Sequence, residues 1–307
     1  SVAQAEGWDN LLDPMIAAIH KCENNSGPYC AAPVNIHRID WMWANKAVFD
    51  ANGISVPTTW DELNAAAEKL QAAGIIPFAH GGQAWQDATV FEAVAMGIGG
   101  NNYYKNCYVD LKESCLRSET TVKVFDQMRK LQGFTDEGSP GRDWNVATGM
   151  VIEGKAGFQI MGDWAKGEFT AAGKVPGVDY YCAPTPSNNG YLYNVDSFIF
   201  YKTSDPDKQE GQKLLAKLMM GKNFQKVFNL YKGSIPARLD VSMDEFDKCA
   251  KTSNSDIKTA GASGGLVPSF AHGMAQGNTM KAALQDVITE HFNSDMSSVD
   301  AANALAD

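Results

Sequence analysis

A helix followed at once by a buried strand is the feature that most constrains the fold of this chain. Thr59 to Glu62 form a capping box, in which side chains satisfy the free N–H groups at a helix start. Apolar residues then recur at helical spacing, at Leu63, Ala66, Ala67 and Leu70. Gly74 ends this helix, and residues 75–79 (IIPFA) form a short apolar strand. Such helix–strand units predict an α/β fold with mostly parallel strands.

The same alternation of helices and short apolar strands continues along the chain. The residue patterns predict further helices at 84–97, 119–131, 143–153, 206–220, 222–231 and 279–291. They predict strands at 32–40, 156–161, 179–182 and 195–202. The polar stretch 251–265 is instead typical of a loop.

Composition and charge exclude several classes of partner. With 307 residues, of which 44% are hydrophobic and 20% charged, the chain is long enough for one large or two ordinary domains. A net charge of -10 argues against nucleic acid or an anionic membrane as the main partner, since both bind basic surfaces. The sequence contains no stretch of about 18 apolar residues that could span a bilayer.

The cysteines indicate an oxidising compartment. There are six of them, and none lies in the C-x-x-C spacing that zinc sites and redox dithiols use. Two pairs would each close a short loop, which leaves the remaining two cysteines for each other. The expected pairs are Cys22–Cys30, Cys107–Cys115 and Cys182–Cys249. Because disulfides persist only in oxidising compartments, an exported protein is a better interpretation than one with reduced core thiols.

Several stretches, taken together and in order, resemble a known family. They are 32–38 (APVNIHR), 56–63 (VPTTWDEL), 81–86 (GGQAWQ), 142–169 (RDWNVATGMVIEGKAGFQIMGDWAKGEF), 193–200 (YNVDSFIF) and 232–238 (KGSIPAR). The set is similar to the extracellular, or periplasmic, solute-binding proteins of ABC sugar importers. It is most similar to the glucose- or mannose-binding type of Gram-negative bacteria, and the resemblance runs over almost the whole chain.

The resemblance implies a periplasmic-binding-protein-like α/β fold, with two lobes joined by hinge crossings and a sugar bound in the interlobe cleft. It assigns 1–33 and 196–238 to lobe 1, and 34–195 and 239–307 to lobe 2 with the C-terminal helices. Family members have several βα units before the first crossing, whereas only residues 1–31 precede it here. The first lobe is therefore expected to be incomplete. The chain is then a fragment, is completed by another chain, or has lost that wall of the cleft.

Two tryptophans are candidates for stacking on a sugar. A pyranose offers C–H faces that pack on aromatic rings, and hydroxyls that need hydrogen-bond partners. Trp164 follows a strand through Gly162 and Asp163, and the resemblance makes it a platform for a pyranose face. Trp144 resembles the family's other aromatic residue of this lobe. Without the resemblance, packing in the core would be the better interpretation of both.

Polar residues complete the candidate site. Asp196 lies in an apolar strand, where an acid is costly unless it is paired or bound to a ligand, so it is the strongest candidate. Lys232 resembles the family's cationic donor, although a lysine at a helix end is also favoured by the helix dipole. Asn35 offers an amide on the first crossing strand. His272 is a weaker candidate because a lone histidine is usually structural, and Trp85 is equally suited to the core.

The sequence context of the candidate catalytic motifs argues against an enzyme. Residues 261–265 match the G-x-S-x-G pattern of a nucleophile elbow, but a polar stretch precedes them and no helix follows. No pattern brings two carboxylates to glycosidase spacing, and no metal or phosphate-binding motif is present.

We therefore expect a periplasmic or extracellular, non-enzymatic protein without a cofactor, which binds a monosaccharide such as glucose or mannose. Its expected partners are the membrane subunits of an ABC transporter or a chain that completes the first lobe. The alternative is a sugar-binding scaffold reused as an extracellular structural or protein-interaction protein.

Overall fold

The described residues of the chain form two compact units. The computed structural model describes residues 1–186 and 190–307. The first unit contains Ser1–His37 and Val195–Lys251, and the second contains Arg38–Asn194 and Thr252–Asp307. Compared with the division predicted from the sequence, residues 34–37, 195 and 239–251 fall in the first unit instead of the second.

Helices dominate both units. The α-helices of the described chain are α1 Val2–Ala5, α2 Pro14–Ile19, α3 Cys22–Asn25, α4 Lys46–Ala51, α5 Trp60–Ala72, α6 Ala84–Tyr104, α7 Glu113–Leu116, α8 Glu119–Gln132, α9 Trp144–Ile152, α10 Ala165–Ala171, α11 Pro206–Met219, α12 Lys222–Lys232, α13 Lys248–Ser263, α14 Asn278–Asn293 and α15 Ser298–Ala306. The strands are β1 Ala31–Pro33, β2 His37–Arg38, β3 Trp41–Asn45, β4 Ile76–Phe78, β5 Ala156–Ile160, β6 Tyr180–Pro184, β7 Tyr191–Asn194, β8 Ser197–Ile199 and β9 Leu266–Pro268. No helix of the described chain is both long and apolar enough to cross a membrane.

The main sheet of the second unit has mixed strand directions. Its strand order is β4-β5-β3-β6, in which β4 and β5 are parallel but β3 runs antiparallel to both β5 and β6. A separate parallel pair joins β7 to β9. The prediction of mostly parallel pairing is therefore wrong, because β3 enters the sheet against the direction of its neighbours.

The helix predicted to start at the capping box is confirmed. Thr59 caps α5, and both reciprocal bonds with Glu62 are present. The four apolar residues at helical spacing lie on the buried face, with Leu63 and Leu70 completely buried. Burial of each leucine stabilises the fold by about 2 kcal/mol, so this face holds α5 against the sheet that contains β4.

Four predicted elements are wrong in extent or type. Of the strand predicted at 195–202, only Ser197–Ile199 is a strand. The range predicted as one strand at 32–40 contains the end of β1 and all of β2, and β3 begins only after it, at Trp41. Helix α6 continues past the predicted end at Gly97 and reaches Tyr104, with a non-helical Gly100 (φ 76°) inside it. The predicted loop 251–265 belongs largely to α13, whose Ser253 and Ala260 are buried. These two residues are seven apart and share one face, so a narrow buried stripe holds an otherwise polar helix.

Disulfides close two of the loops expected from the cysteine spacing. Cys22 is bonded to Cys30 in the first unit, and Cys107 is bonded to Cys115 in the second. Both short-range predictions are therefore confirmed. Cys182 and Cys249 are also disulfide-bonded, so no cysteine of the described chain is a free thiol.

Candidate functional site

Three polar side chains of the first unit converge on the carboxylate of a fourth residue. We call the four residues the polar cluster: Asn35, His37, Asp196 and Lys232. Asp196 Oδ2 accepts a hydrogen bond from Asn35 Nδ2 at 2.9 Å and lies 3.0 Å from His37 Nε2. The ammonium of Lys232 is 3.7 Å from the same oxygen. The structure thus brings together three of the predicted site residues, Asn35, Asp196 and Lys232, and adds His37.

Strand pairing and a helix end bring the polar cluster together. Asn35 follows β1 and Asp196 precedes β8, and these strands pair antiparallel with Pro33 opposite Ser197. The buried amide of Asn229 in α12 donates to the Val34 carbonyl oxygen at 2.9 Å, which fixes the helix against this strand. Helix α12 ends at Lys232, and the next residue, Gly233, has a left-handed φ of 95° that turns the chain away.

The carboxyl of Asp196 stays ionised. Burial raises its pKa, but hydrogen bonding to His37 and Asn35 and the charge of Lys232 outweigh that effect and hold the pKa well below its usual range. Its side chain is still 39% exposed. The polar cluster therefore presents a charged hydrogen-bond acceptor with an accessible edge, beside amine and amide donors.

Three rings of the second unit form an aromatic cluster, defined by Trp85, Trp164 and His272. The Trp164 and His272 ring centroids are 5.0 Å apart with an interplanar angle of 65°. Trp85 lies 6.3 Å from Trp164 and 5.9 Å from His272. All three side chains are partly exposed. The arrangement supplies accessible aromatic surface that is held in place by edge contacts.

The turn before Trp164 positions its ring. The Asp163 N–H donates to the Arg38 carbonyl, and its Oδ2 accepts from the Arg38 N–H at 3.0 Å, so this buried carboxylate shapes the turn. At Gly162, an added Cβ would lie 2.2 Å from the Trp164 ring. Glycine is required there because the ring lies directly on the backbone.

Trp144 lies apart from the aromatic cluster. It begins α9 and is partly exposed, and its carbonyl oxygen accepts a hydrogen bond from Gln159 Nε2 at 3.0 Å. No ring contact joins it to Trp85 or Trp164 within the described residues. An indirect link exists through Gln83, whose amide accepts from the Trp85 indole and donates to the side chain of Asp143.

A buried glutamate holds the loop that carries His272. Glu92 of α6 is fully buried and accepts hydrogen bonds from the Ser269 hydroxyl at 2.7 Å and from the N–H groups of Phe270 and Ala271. Tyr104 donates to it as well. Burial raises the pKa of Glu92 to about 8 in spite of these donors. Sequence reasoning missed this structural role of Glu92.

We expect Glu92 to make stability fall as pH rises. Its pKa in the fold, about 8, lies above its ordinary value of 4.5, so its proton is bound more tightly in the folded protein. This contribution is present at pH below 4.5 and is lost as the pH passes 8. Between pH 5 and pH 8 the free energy of unfolding should fall by about 3 kcal/mol from this group.

Urea denaturation at the two pH values measures this fall. The neutral variant Glu92→Gln should show a flatter pH dependence than the wild type. An equally steep decline in both proteins would show that other groups cause it.

Comparisons with known proteins agree with the fold. Residues 2–219 match the family described as bacterial extracellular solute-binding protein. A probable sugar-binding periplasmic protein of Brucella suis biovar 1 (strain 1330) is 46% identical over 306 residues, covering 99% of this chain and 72% of that protein. An uncharacterized ABC transporter extracellular-binding protein of Pyrococcus horikoshii is 34% identical over 266 residues, covering 85% of this chain and 58% of that protein.

A solved structure gives the same result for the fold. The bacterial solute receptor AcbH, described as having an exclusive preference for β-D-galactopyranose, aligns with a TM-score of 0.83 at 18% identity. The alignment covers 99% of this chain and 76% of the receptor. The predicted family and fold class are confirmed, as is the prediction of a binding protein and not an enzyme. The chain belongs to the bacterial extracellular solute-binding proteins.

Proposed function

We propose that this chain binds a monosaccharide, glucose or mannose, as the periplasmic solute-binding component of an ABC importer. The observation that carries the proposal is the polar cluster, in which an ionised and partly exposed Asp196 is surrounded by amine and amide donors. The names of the Brucella and Pyrococcus relatives support a sugar ligand and the membrane subunits of an ABC transporter as partners.

The two clusters supply the two chemistries that a sugar needs. Carboxylate and ammonium groups form the stronger, charge-assisted hydrogen bonds with hydroxyls. The aromatic cluster supplies flat apolar surface for the C–H face of a pyranose, and Trp164 is the proposed platform. Asn35 and Lys232 would bond hydroxyls beside Asp196. Trp144 is proposed as a second aromatic contact.

Isothermal titration of D-glucose, D-mannose and D-galactose into the chain tests the proposal. We expect saturable binding of glucose or mannose at micromolar or lower concentration. Trp164→Ala should weaken it strongly, whereas Tyr201→Ala, which removes a ring that is 76% exposed in the first unit, should not. A folded protein that binds none of the three sugars would overturn the proposal, and a preference for galactose would overturn the glucose or mannose assignment.

Exposed apolar side chains of the first unit favour a second candidate function, protein interaction. We call them together the apolar face, and each is at least two-fifths exposed. They are Phe198, Ile199, Tyr201, Leu214, Leu215, Leu218, Val227 and Tyr231. Soluble proteins rarely leave so many large apolar residues of one region uncovered. We propose that a further polypeptide, in this or another chain, packs on the apolar face.

Charged substitutions on the apolar face should reduce self-association without unfolding the chain. Leu214 and Leu218 lie one turn apart on α11 and are 60% and 57% exposed. Leu214→Lys combined with Leu218→Lys should lower light scattering by concentrated protein while changing unfolding free energy by less than about 1 kcal/mol.

The matched control adds the same two charges elsewhere. Ala282→Lys and Ala283→Lys lie at exposed positions of α14 in the second unit. An equal decrease in scattering for this control would show that net charge, and not the apolar face, governs association.

A further inference from the structure

The hydroxyl of Thr89 contacts the imidazole of His272. Thr89 Oγ1 donates to the Trp85 carbonyl oxygen, one turn earlier on α6, at 2.8 Å. The same oxygen lies 3.0 Å from His272 Nε2. A hydroxyl has a single proton, and the carbonyl has none to give, so that proton points at Trp85. Toward the imidazole, Thr89 Oγ1 is therefore an acceptor and Nε2 carries the hydrogen.

A neutral imidazole with hydrogen on Nε2 has its acceptor lone pair on Nδ1. We propose that Thr89 is a positioning residue, which holds His272 in this tautomer so that Nδ1 accepts a hydrogen bond from one hydroxyl of the bound sugar. This inference rests on the proposed function and adds a residue that neither the motifs nor the comparisons assign. A sugar hydroxyl at this position must act as the donor.

Further contacts hold the backbone and the ring of His272. The backbone N–H of His272 donates to Ser269 Oγ at 3.0 Å, and the Ser269 hydroxyl in turn donates to the carboxylate of Glu92. Trp85 and Trp164 both meet the ring edge to face. Trp85, Thr89 and Glu92 lie at positions i, i+4 and i+7, which is one face of a helix. A single helix face therefore fixes the backbone, the ring plane and the tautomer of His272.

Nitrogen-15 NMR of the imidazole measures the tautomer directly. We expect Nε2–H in the wild type and in Thr89→Ser, which keeps the hydroxyl. In Thr89→Val, which has the same shape without the hydroxyl, the population should shift toward Nδ1–H. Melting curves establish that each variant is folded, and Thr89→Ser keeps the test valid if Thr89→Val does not fold. An Nδ1–H ring in the wild type would overturn the inference.

Titration with fluorinated sugars measures the consequence for binding. In deoxyfluoro-D-glucoses one hydroxyl is replaced by fluorine, which cannot donate a hydrogen bond. Fluorine at one of the hydroxyl positions should lower the affinity about tenfold for the wild-type protein and for Thr89→Ser, but much less for Thr89→Val. Thr89→Val itself should bind glucose about tenfold more weakly than the wild type.

The two hypotheses fail in different ways. If the wild type binds no sugar, the proposed function is wrong, and the role of Nδ1 in sugar binding falls with it. If the wild type binds sugar but Thr89→Val keeps the same affinity and the same fluorine profile, only the inference about Thr89 is overturned.

Discussion

Replacing Asp196 with asparagine should weaken monosaccharide binding about 100-fold. The substitution keeps the shape of the side chain but removes the charge that organises the polar cluster. Asn35 Nδ2, His37 Nε2 and the Lys232 ammonium all lie around one oxygen of this carboxylate. An amide in its place would turn either a weaker acceptor or a competing donor toward these groups. Isothermal titration with the preferred sugar gives the change in affinity.

A second acid of the first unit provides the control. Asp240 also has cationic partners, since Arg238 Nε and Lys222 Nζ lie 2.8 and 2.9 Å from its oxygens. Hydrogen bonding to Arg238 outweighs a small burial effect and holds the pKa of Asp240 below its usual range, as for Asp196. Asp240→Asn should leave the affinity unchanged. Equal losses from both substitutions would mean that charge in the first unit, and not the polar cluster, controls binding.

Asp196 could be found from the sequence because its signal is local. An acid among apolar residues is costly to bury, and this cost marks Asp196 without any knowledge of the fold, although the structure places it just before β8. Its neighbours could not be found in this way. Asn35 is 161 residues from Asp196 along the chain, and only the pairing of β1 with β8 brings the two together. Their proximity is a property of strand register, which no local pattern encodes.

The positioning residues of the aromatic cluster were missed for a similar reason. Thr89 and Glu92 act on a loop about 180 residues away, and this loop must dock before either contact exists. A weak signal was nevertheless present. Both are polar residues within a helix segment whose other members are mostly apolar, and together with Trp85 they share one face. Buried polar groups at helical spacing indicate that this face of the helix forms hydrogen bonds with another segment of the chain.

The errors in secondary structure also have tertiary causes. The composition of 251–265 is typical of a loop, but contacts of Ser253, whose Oγ lies 2.8 Å from the Tyr191 hydroxyl, help to hold it as helix. The local sequence contains even less information about strand direction. Met42 of β3 pairs with both Ile160 and Ala183 in antiparallel register. The apolar pattern that predicts a buried strand is the same for either direction.

Loss of the Arg38 side chain should be among the most destabilising single changes in the second unit. Its guanidinium is buried between the rings of Trp41 and Tyr191, at 5.0 and 4.8 Å from their centroids. It donates to both oxygens of Asp40 and, at 2.6 Å, to Asp256. Asp40 is completely buried, so removing its cation leaves an unpaired carboxylate in the interior.

Arg38→Met should therefore lower the free energy of unfolding by about 3 to 5 kcal/mol. In this variant burial still raises the pKa of Asp40 and is opposed only by backbone hydrogen bonds, such as the one from the Leu192 N–H. The folded form of Asp40 therefore binds a proton that the unfolded chain releases. The loss of stability should consequently grow as the pH rises from 5 to 8. Urea denaturation at both pH values measures the effect.

Two further variants distinguish the buried ion pair from a general effect of removing arginine. Adding Asp40→Asn to Arg38→Met removes the unpaired charge, so it should restore part of the lost stability and flatten its pH dependence. Arg117 also pairs with two acids, Glu113 and Asp307, but lies at the surface with 35% of its side chain exposed. Arg117→Met should change the free energy of unfolding much less than Arg38→Met, because solvent screens this surface pair. If Arg38→Met costs no more than Arg117→Met, the buried pair is not what stabilises this part of the second unit.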